Sequence, residues 1–261
     1  MDVTRAEIRG GLRGLGLCDG DEVVVHASLS SLGWVEGGAD AVVDALRDAV
    51  GASGTVMAPT FTGYDEAFDR ERTPSETGAV TEALRTRPDA ARSDHPTKSV
   101  AAVGPDAAAL VADHPLEESL GPGSPMHRLL DRGGSVLLLG VDHTRNSSVH
   151  VAEKLAGVPY RDQFAATRRA TGDGGTETVT VNRVHCSEGF EKVAPLARRT
   201  GVERRGRVGE APARLLDGPA FLDLVASALR DHPAFLFCDR PRCERCAYAR
   251  EAVAASEAPR R

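Results

Sequence analysis

The chain has 261 residues, 41% hydrophobic and 27% charged, ordinary proportions for a globular protein with room for one large core. Aromatics are only 4%, so that core must rest on Val, Leu and Ala; the formal charge of −6 argues against nucleic acid as the main partner and favours cationic ligands. No apolar run reaches the roughly 18–20 residues that span a bilayer, which excludes a helical membrane anchor as a reading of this sequence.

Residues 4–15 have helical spacing and read as a short amphipathic helix rather than a signal peptide. The run DEVVVHASLSSLG (21–33) is a buried strand that breaks into a serine-rich loop. Apolar residues at 42, 43, 46 and 50 mark one face of a helix over 37–51, closed by a glycine, and 54–63 is the next strand. Strand, loop, helix and strand at this length make a βαβ unit, which predicts a parallel sheet. A strand at 99–104 leads into a helix over 105–113 that opens on a proline. The segment 124–132 is helical, SVLLLG (135–140) is a strand, and helix resumes over 146–157. Alternation over 176–186 predicts a half-exposed strand, 211–233 one or two helices, and AFLFC (234–238) a last strand, with the tail SEAPRR disordered. The expected fold is α/β, a single domain with a largely parallel central sheet flanked by helices and an irregular C-terminal subdomain over about 160–250.

The signatures of P-loop enzymes, dinucleotide-binding folds, zincins and serine hydrolases are all missing. Four polar clusters remain where the strands end or begin: HASLSS (26–31), TFTGYDE (60–66), SDHPTKS (93–99) and DHTRNSSVHVAE (142–153). Ligands of open α/β sheets bind beyond the carboxyl ends of strands, so these clusters are expected to meet at one rim. His150 and Glu153 are three apart in the first turns of a helix that Asn146 or Ser147 caps. The positive end of the helix dipole disfavours a second proton on His150, and Glu153 is placed to fix the ring's tautomer or hold a cation.

The segments VVVHASLSSLGWVEGG (23–38), APTFT (58–62), RSDHPTKSVAAVG (92–104), GPGSPMHRLLDRGGSVLLLG (121–140) and NSSVHVAE (146–153), taken in order, resemble the aminoglycoside 3-N-acetyltransferase family, which is distinct from the GNAT superfamily. The resemblance runs through residues 1–160 and continues more loosely to the end. It implies transfer of an acetyl group from acetyl-CoA to the 3-amino group of an aminoglycoside, with His150 as general base and Glu153 as its support. It further implies that His26, Ser28, Leu29, Ser30, Val35, Gly37 and Gly38 contact CoA, and that Ser93, His95, Ser99 and Val100 wall the pantetheine arm. Asp65, Glu66 and Glu188 would face the cationic acceptor. Some relatives carry further acids just before the HC of residues 185–186, where this chain reads NRV.

Five cysteines, an odd number gathered toward one end, suit metal chemistry in a reducing compartment, hence the cytoplasm, better than a disulfide framework. Cys243-x-x-Cys246 is half of a zinc site, and His185 with Cys186, or Cys238, supplies the rest. The set His185, Cys186, Cys243 and Cys246 is expected to bind a structural zinc ion, an arrangement some family members share. Two other readings stay open: acetylation of a different small amine, and a zinc-dependent hydrolase built on His150 and Glu153. The expected partners are CoA and a cationic small molecule, with no nucleic acid and no membrane; a homodimer is compatible with this reading.

Overall fold

The computed structural model describes residues 2–63, 67–160, 162–169, 175–183 and 185–257. Helix α1 (Arg5–Leu15) starts on a capping box between Thr4 and Glu7 and ends on left-handed Gly16. Strand β1 (Glu22–Ala27) carries the valine run, passes a short 3-10 turn at Leu29–Leu32 and feeds α2 (Gly38–Val50) and β2 (Thr55–Pro59). Next come α3 (Ala79–Arg85), the two-residue β3 (Ala91–Arg92), β4 (Val100–Val103) and α4 (Ala107–Val111). Ser124 caps α5 (Pro125–Asp131), whose proline sits in the first turn, and β5 (Ser135–Leu139) follows. Helix α6 (Ser148–Ala156) precedes an antiparallel pair, β6 (Asp162–Arg169) and β7 (Thr176–Arg183). The chain continues through α7 (Ala194–Arg199), β8 (Glu203–Val208), β9 (Ala211–Asp217), α8 (Gly218–Asp231) and α9 (Glu244–Glu257).

Seven strands form one sheet in the order β3-β4-β2-β1-β5-β9-β8. Alternate side chains of each central strand enter opposite cores, because successive residues of a strand point to opposite faces. Val23, Val25, Leu137 and Leu139 pack with α1, α2 and α3, whereas Val24, Val136 and Leu138 pack with α4, α5, α6 and α8. Each such Val or Leu contributes about 1.5–3 kcal/mol on full burial, so the two faces together hold the sheet between helical layers.

The α/β class and the flanking helices are as expected, but parallel pairing is confined to the centre. Strand β1 runs parallel to β2 and β5; the pairings β2–β4, β3–β4, β5–β9 and β8–β9 are antiparallel. Of the sheet's connections, β1–α2–β2 is a βαβ unit. A two-residue connection such as Gly209–Glu210 between β8 and β9 forces antiparallel pairing, since a parallel return needs a crossover of a dozen residues or more. Residues 211–217 are therefore strand where helix was expected, and β8 and β9 return part of the C-terminal region to the main sheet. Residues 234–238 are turn and coil rather than strand, and α9 extends through Glu257, while 258–261 of the tail lie outside the described residues. Among the described residues no helix is long and apolar enough to cross a membrane.

Candidate active site

The three parallel strands end at one edge of the sheet, and antiparallel β4 begins there, with Pro59 opposite Val100. That edge borders a cavity of about 1250 Å3. One stretch of its wall is the segment after β1: His26, Ser28, Leu29, Ser30, Val35, Gly37 and Gly38 all line it, as does the 76%-exposed Trp34. The Ser31 hydroxyl bonds the Gly140 carbonyl at 3.0 Å and locks this loop to the end of β5. Gly140 permits the contact: it has φ +71°, and a Cβ there would stand 2.5 Å from that of Ser31. Gly37 (φ +80°) and Gly38 (φ +60°) then turn the chain into α2, whose first-turn N–H groups receive no side-chain cap. His26 is buried and its Nε2 meets no hydrogen-bond partner; burial, reinforced by nearby His143, pushes its pKa down to about 3.

His150 is the third residue of α6 and lines the cavity with only 6% exposure. Its Nδ1 donates to Glu153 Oε2 at 2.7 Å, which leaves Nε2 as the acceptor, and its ring packs edge-on against Phe190 at 4.8 Å. The other carboxylate oxygen, Oε1, accepts from the Tyr160 hydroxyl at 3.2 Å. Burial and the neighbouring carboxylate raise the Tyr160 pKa, so the phenol stays a donor.

The start of α6 is fixed by a buried relay. His143 bonds Glu203 Oε2 through Nε2 at 2.9 Å and the Asn146 amide through Nδ1 at 3.2 Å. Asn146 Oδ1 in turn accepts from the Ser148 N–H at 3.1 Å. Asn146 rather than Ser147 thus satisfies the helix terminus. Glu203, on distant β8, is held ionised by His143 and Arg205 against the opposing effect of burial.

Behind this wall the sulfurs of Cys186, Cys238, Cys243 and Cys246 lie within 4.8 Å of one another. Four converging thiols suit a tetrahedral, thiolate-bound metal, for which sulfur–metal bonds are about 2.3 Å. Hydrogen bonds from the backbone of Cys246 and from neighbouring thiols lower the Cys243 pKa to about 7, whereas burial raises those of Cys186 and Cys246. His185, expected among the ligands, is not one of the four converging groups, and Cys238 is. His185 lines the cavity instead, with Nε2 3.5 Å from Cys246 Sγ and its ring against Tyr160 at 4.8 Å.

The four residues expected to wall the pantetheine arm do not line the cavity. Ser93 Oγ accepts from the Val100 N–H at 2.9 Å and bonds His114 at 2.8 Å. The His95 ring accepts the Thr97 and Lys98 N–H groups at 3.2 and 3.0 Å. Ser99 donates to the Thr60 carbonyl at 2.7 Å, and Val100 is buried in the sheet. All four shape the turn before β4 rather than a ligand surface. Glu188 is exposed, paired with Arg240 at 2.7 Å, and not part of the wall. Asp65 and Glu66 lie outside the described residues. The expected acidic acceptor side is not seen among the described lining residues, where Glu36 and Glu76 are matched against Lys98, Arg145 and Arg245.

Comparison with known proteins agrees with this architecture. The family profile for aminoglycoside 3-N-acetyltransferases matches residues 24–230. The chain belongs to that family. Aminoglycoside N(3)-acetyltransferase VII of Streptomyces paromomycinus is 35% identical over 257 residues, covering 85% of this chain and 89% of its own length. Aminoglycoside acetyltransferase AAC(3)-IVa superposes with a TM-score of 0.89 at 33% identity, covering 97% of this chain and 98% of that one. A histidine-to-alanine mutant of AAC(3)-IVa is known in complex with a gentamicin. AAC-IIIb bound to CoASH superposes with a TM-score of 0.83 at 29% identity, covering 88% and 97% of the two chains. Sequence reasoning missed Tyr160, Lys98 and Arg245; a lone Tyr, Lys or Arg carries no spacing signal, and only the folded chain brings Tyr160 to Glu153 and puts Lys98 and Arg245 on the wall of the cavity that His150 also lines.

Proposed function

We propose that this protein transfers the acetyl group of acetyl-CoA to an acceptor amine, the 3-amino group of an aminoglycoside, with His150 as general base. Free amines are mostly protonated near neutral pH, so a positioned base is needed to keep the nitrogen lone pair available. The nitrogen attacks the thioester carbonyl; as the C–N bond forms, His150 Nε2 takes its proton while Glu153 stabilises the imidazolium through Nδ1–H. Collapse of the tetrahedral intermediate breaks the C–S bond, and the same proton passes to the departing thiolate. Neither an acyl-enzyme nor a metal step is required.

The observation that carries this reading is the 2.7 Å His150–Glu153 contact at the wall of a cavity of about 1250 Å3. That volume exceeds the roughly 300–1000 Å3 usual for one small ligand, as a two-substrate site demands. The complexes of relatives with CoASH and with a gentamicin support the same pair of substrates. The CoA-side residues are His26, Ser28, Leu29, Ser30, Val35, Gly37 and Gly38, whose hydroxyls and free N–H groups suit phosphate and amide oxygens. Cys186, Cys238, Cys243 and Cys246 would hold a structural zinc ion that clamps α9 against the segment after β7; a closed four-thiolate site offers no position for substrate. Dependence on acetyl-CoA also fits a cytoplasmic enzyme.

The hydrolase reading lacks a ligand set: among the described residues the four cysteines are the only group gathered for a metal, and His150 and Glu153 are not among them. Thiol release from acetyl-CoA, followed with aminoglycosides and simple amines as acceptors, tests the proposal. Acceptor-dependent release with acetate found on the 3-nitrogen is expected; release that ignores the acceptor, with free acetate as product, would contradict it.

A further inference from the structure

We propose that His185 is a positioning residue for the general base: anchored on Cys246 Sγ, it braces the Tyr160 ring, and the Tyr160 hydroxyl in turn fixes the Glu153 carboxylate that orients His150. The four-thiol group, which joins α9 to the segment after β7, thereby reaches the base. This role deepens the acetyltransferase reading above and rests on it.

Helix α6 places His150 and Glu153 one turn apart and stops at Ala156, so Tyr160, beyond its end, takes its position from what it packs on. The buried Tyr160 ring meets His185 and Phe237 with centroids 4.8 and 5.4 Å away, and His185 and Phe237 are 5.3 Å apart. Each ring thus touches the other two, in a triangle drawn from the segments after α6, after β7 and before α9. Rings about 4.5–7 Å apart prefer edge-to-face or offset arrangements, so each limits the tilt of the others. Polar contacts hold the triangle from the α9 side. His185 Nε2 lies 3.5 Å from Cys246 Sγ, and that fully buried sulfur also accepts the Cys238 N–H at 3.4 Å. The Arg250 guanidinium stands 5.7 Å from the Phe237 centroid, and its Nη2 donates to the Cys238 carbonyl at 3.0 Å. As a thiolate Cys246 can only accept, so His185 donates to it from Nε2.

The far end of this route is the carboxylate. Glu153 Oε2 accepts the His150 Nδ1–H at 2.7 Å, and Oε1 accepts the Tyr160 hydroxyl at 3.2 Å. A Tyr160 ring that tilts takes its hydroxyl from Oε1, and the carboxylate then no longer aims the imidazole. Misaligning a base in this way costs rate in the chemical step rather than substrate affinity. Of the three rings His185 alone lines the cavity, so direct contact with a substrate is the rival role, and kinetics separate the two.

The test is a cycle of variants in the full chain, assayed with acetyl-CoA and gentamicin. His185→Ala should lower kcat about fivefold, the fall also expected for Tyr160→Phe, with the KM of each substrate within about twofold of wild type. Because both changes act on one contact, the double variant should also lie about fivefold down; a fall of about 25-fold means independent effects and overturns the proposal. His185→Phe keeps a ring without the nitrogen, should lose about twofold in kcat, and serves if His185→Ala does not melt as a folded chain. A wild-type kcat in the His185 variants overturns the proposal, as does a loss confined to KM, which marks direct substrate contact. If the wild type acetylates nothing, the acetyltransferase reading fails, and NMR of the His150 ring nitrogens decides the positioning separately. Matching shifts of those signals in His185→Ala and Tyr160→Phe support it, and wild-type signals in His185→Ala overturn it.

Discussion

Replacing Glu153 with glutamine isolates the carboxylate's charge from its shape. The side chain is 3% exposed and is not part of the cavity wall, so the substitution leaves the substrate surface intact. Glutamine can still accept the His150 Nδ1–H now bonded at 2.7 Å and still meet the Tyr160 hydroxyl. What disappears is the attraction between a carboxylate and the imidazolium formed as the proton arrives. Opposite charges about 4 Å apart at an effective dielectric constant near 20 interact by about 4 kcal/mol. A retained neutral hydrogen bond recovers about 1 kcal/mol of that. A net loss of about 3 kcal/mol in the transition state corresponds to a fall in kcat on the order of 10²-fold. Initial rates of thiol release, with each substrate varied in turn, measure it. The fall should lie in kcat, with the KM for acetyl-CoA near its wild-type value. A kcat within twofold of wild type, or a loss expressed wholly in KM, would refute the assignment of Glu153 as the partner of the base.

Tyr160→Phe removes the donor to Glu153 Oε1 and should lower kcat by about fivefold, the equivalent of one hydrogen bond, while thermal stability changes little; unchanged kcat would leave Tyr160 as packing only. Stripping metal with a chelator should lower the melting temperature of the wild type but not of Cys238→Ser, and metal analysis should return one zinc per chain in the wild type alone; equal melting points with and without chelator would count against the site. Acid should destabilise the fold in a defined window. Burial holds the folded-state pKa of His26 near about 3 and that of His114 near about 4, both below the ordinary 6.5, so the unfolded chain binds protons that the folded chain refuses. Their contribution is whole above pH 6.5, and it is lost as pH falls toward those values. Urea midpoints at pH 7 and pH 4.5 read this, and His114→Gln should flatten the difference; the same slope in that variant would refute it.

The sequence exposed the centre of the fold and left its margins hidden, for physical reasons. Strands β1 and β5 are buried on both faces, so they show as unbroken apolar runs, and α2 shows its 3.6-residue stripe because only one side is buried. Strand β8, Glu203–Val208, reads ERRGRV and exposes its four middle residues, so no hydrophobic period marks it; β9 beside it carries APARLLD, which the helical period fits as well as the strand period does. Helix α9 has almost no amphipathic pattern, because the side it buries is marked only by Cys246, Ala249 and Val253, small or weakly apolar residues among many charged ones. Within the site, His150 and Glu153 were legible from their spacing, since i and i+3 share a helix face whatever the surroundings. The serine-rich loop after β1 was legible from strand-end chemistry. Ser93, His95 and Ser99 were misplaced because the same polar residues that bind ligands also close turns, and here they spend their hydrogen bonds on the backbone around Lys98 and Val100. The fourth cysteine was undecidable from spacing alone, because His185, Cys186 and Cys238 offer equally plausible reach.

The account depends most on His150 accepting the proton of the attacking amine, and truncating it with chemical replacement tests that directly. His150→Ala should lower kcat by roughly 10²–10⁴-fold, and imidazole added to the assay should restore part of the rate, because the vacated ring position opens on a cavity large enough to admit it. Turnover by His150→Ala at the wild-type rate would contradict the account outright.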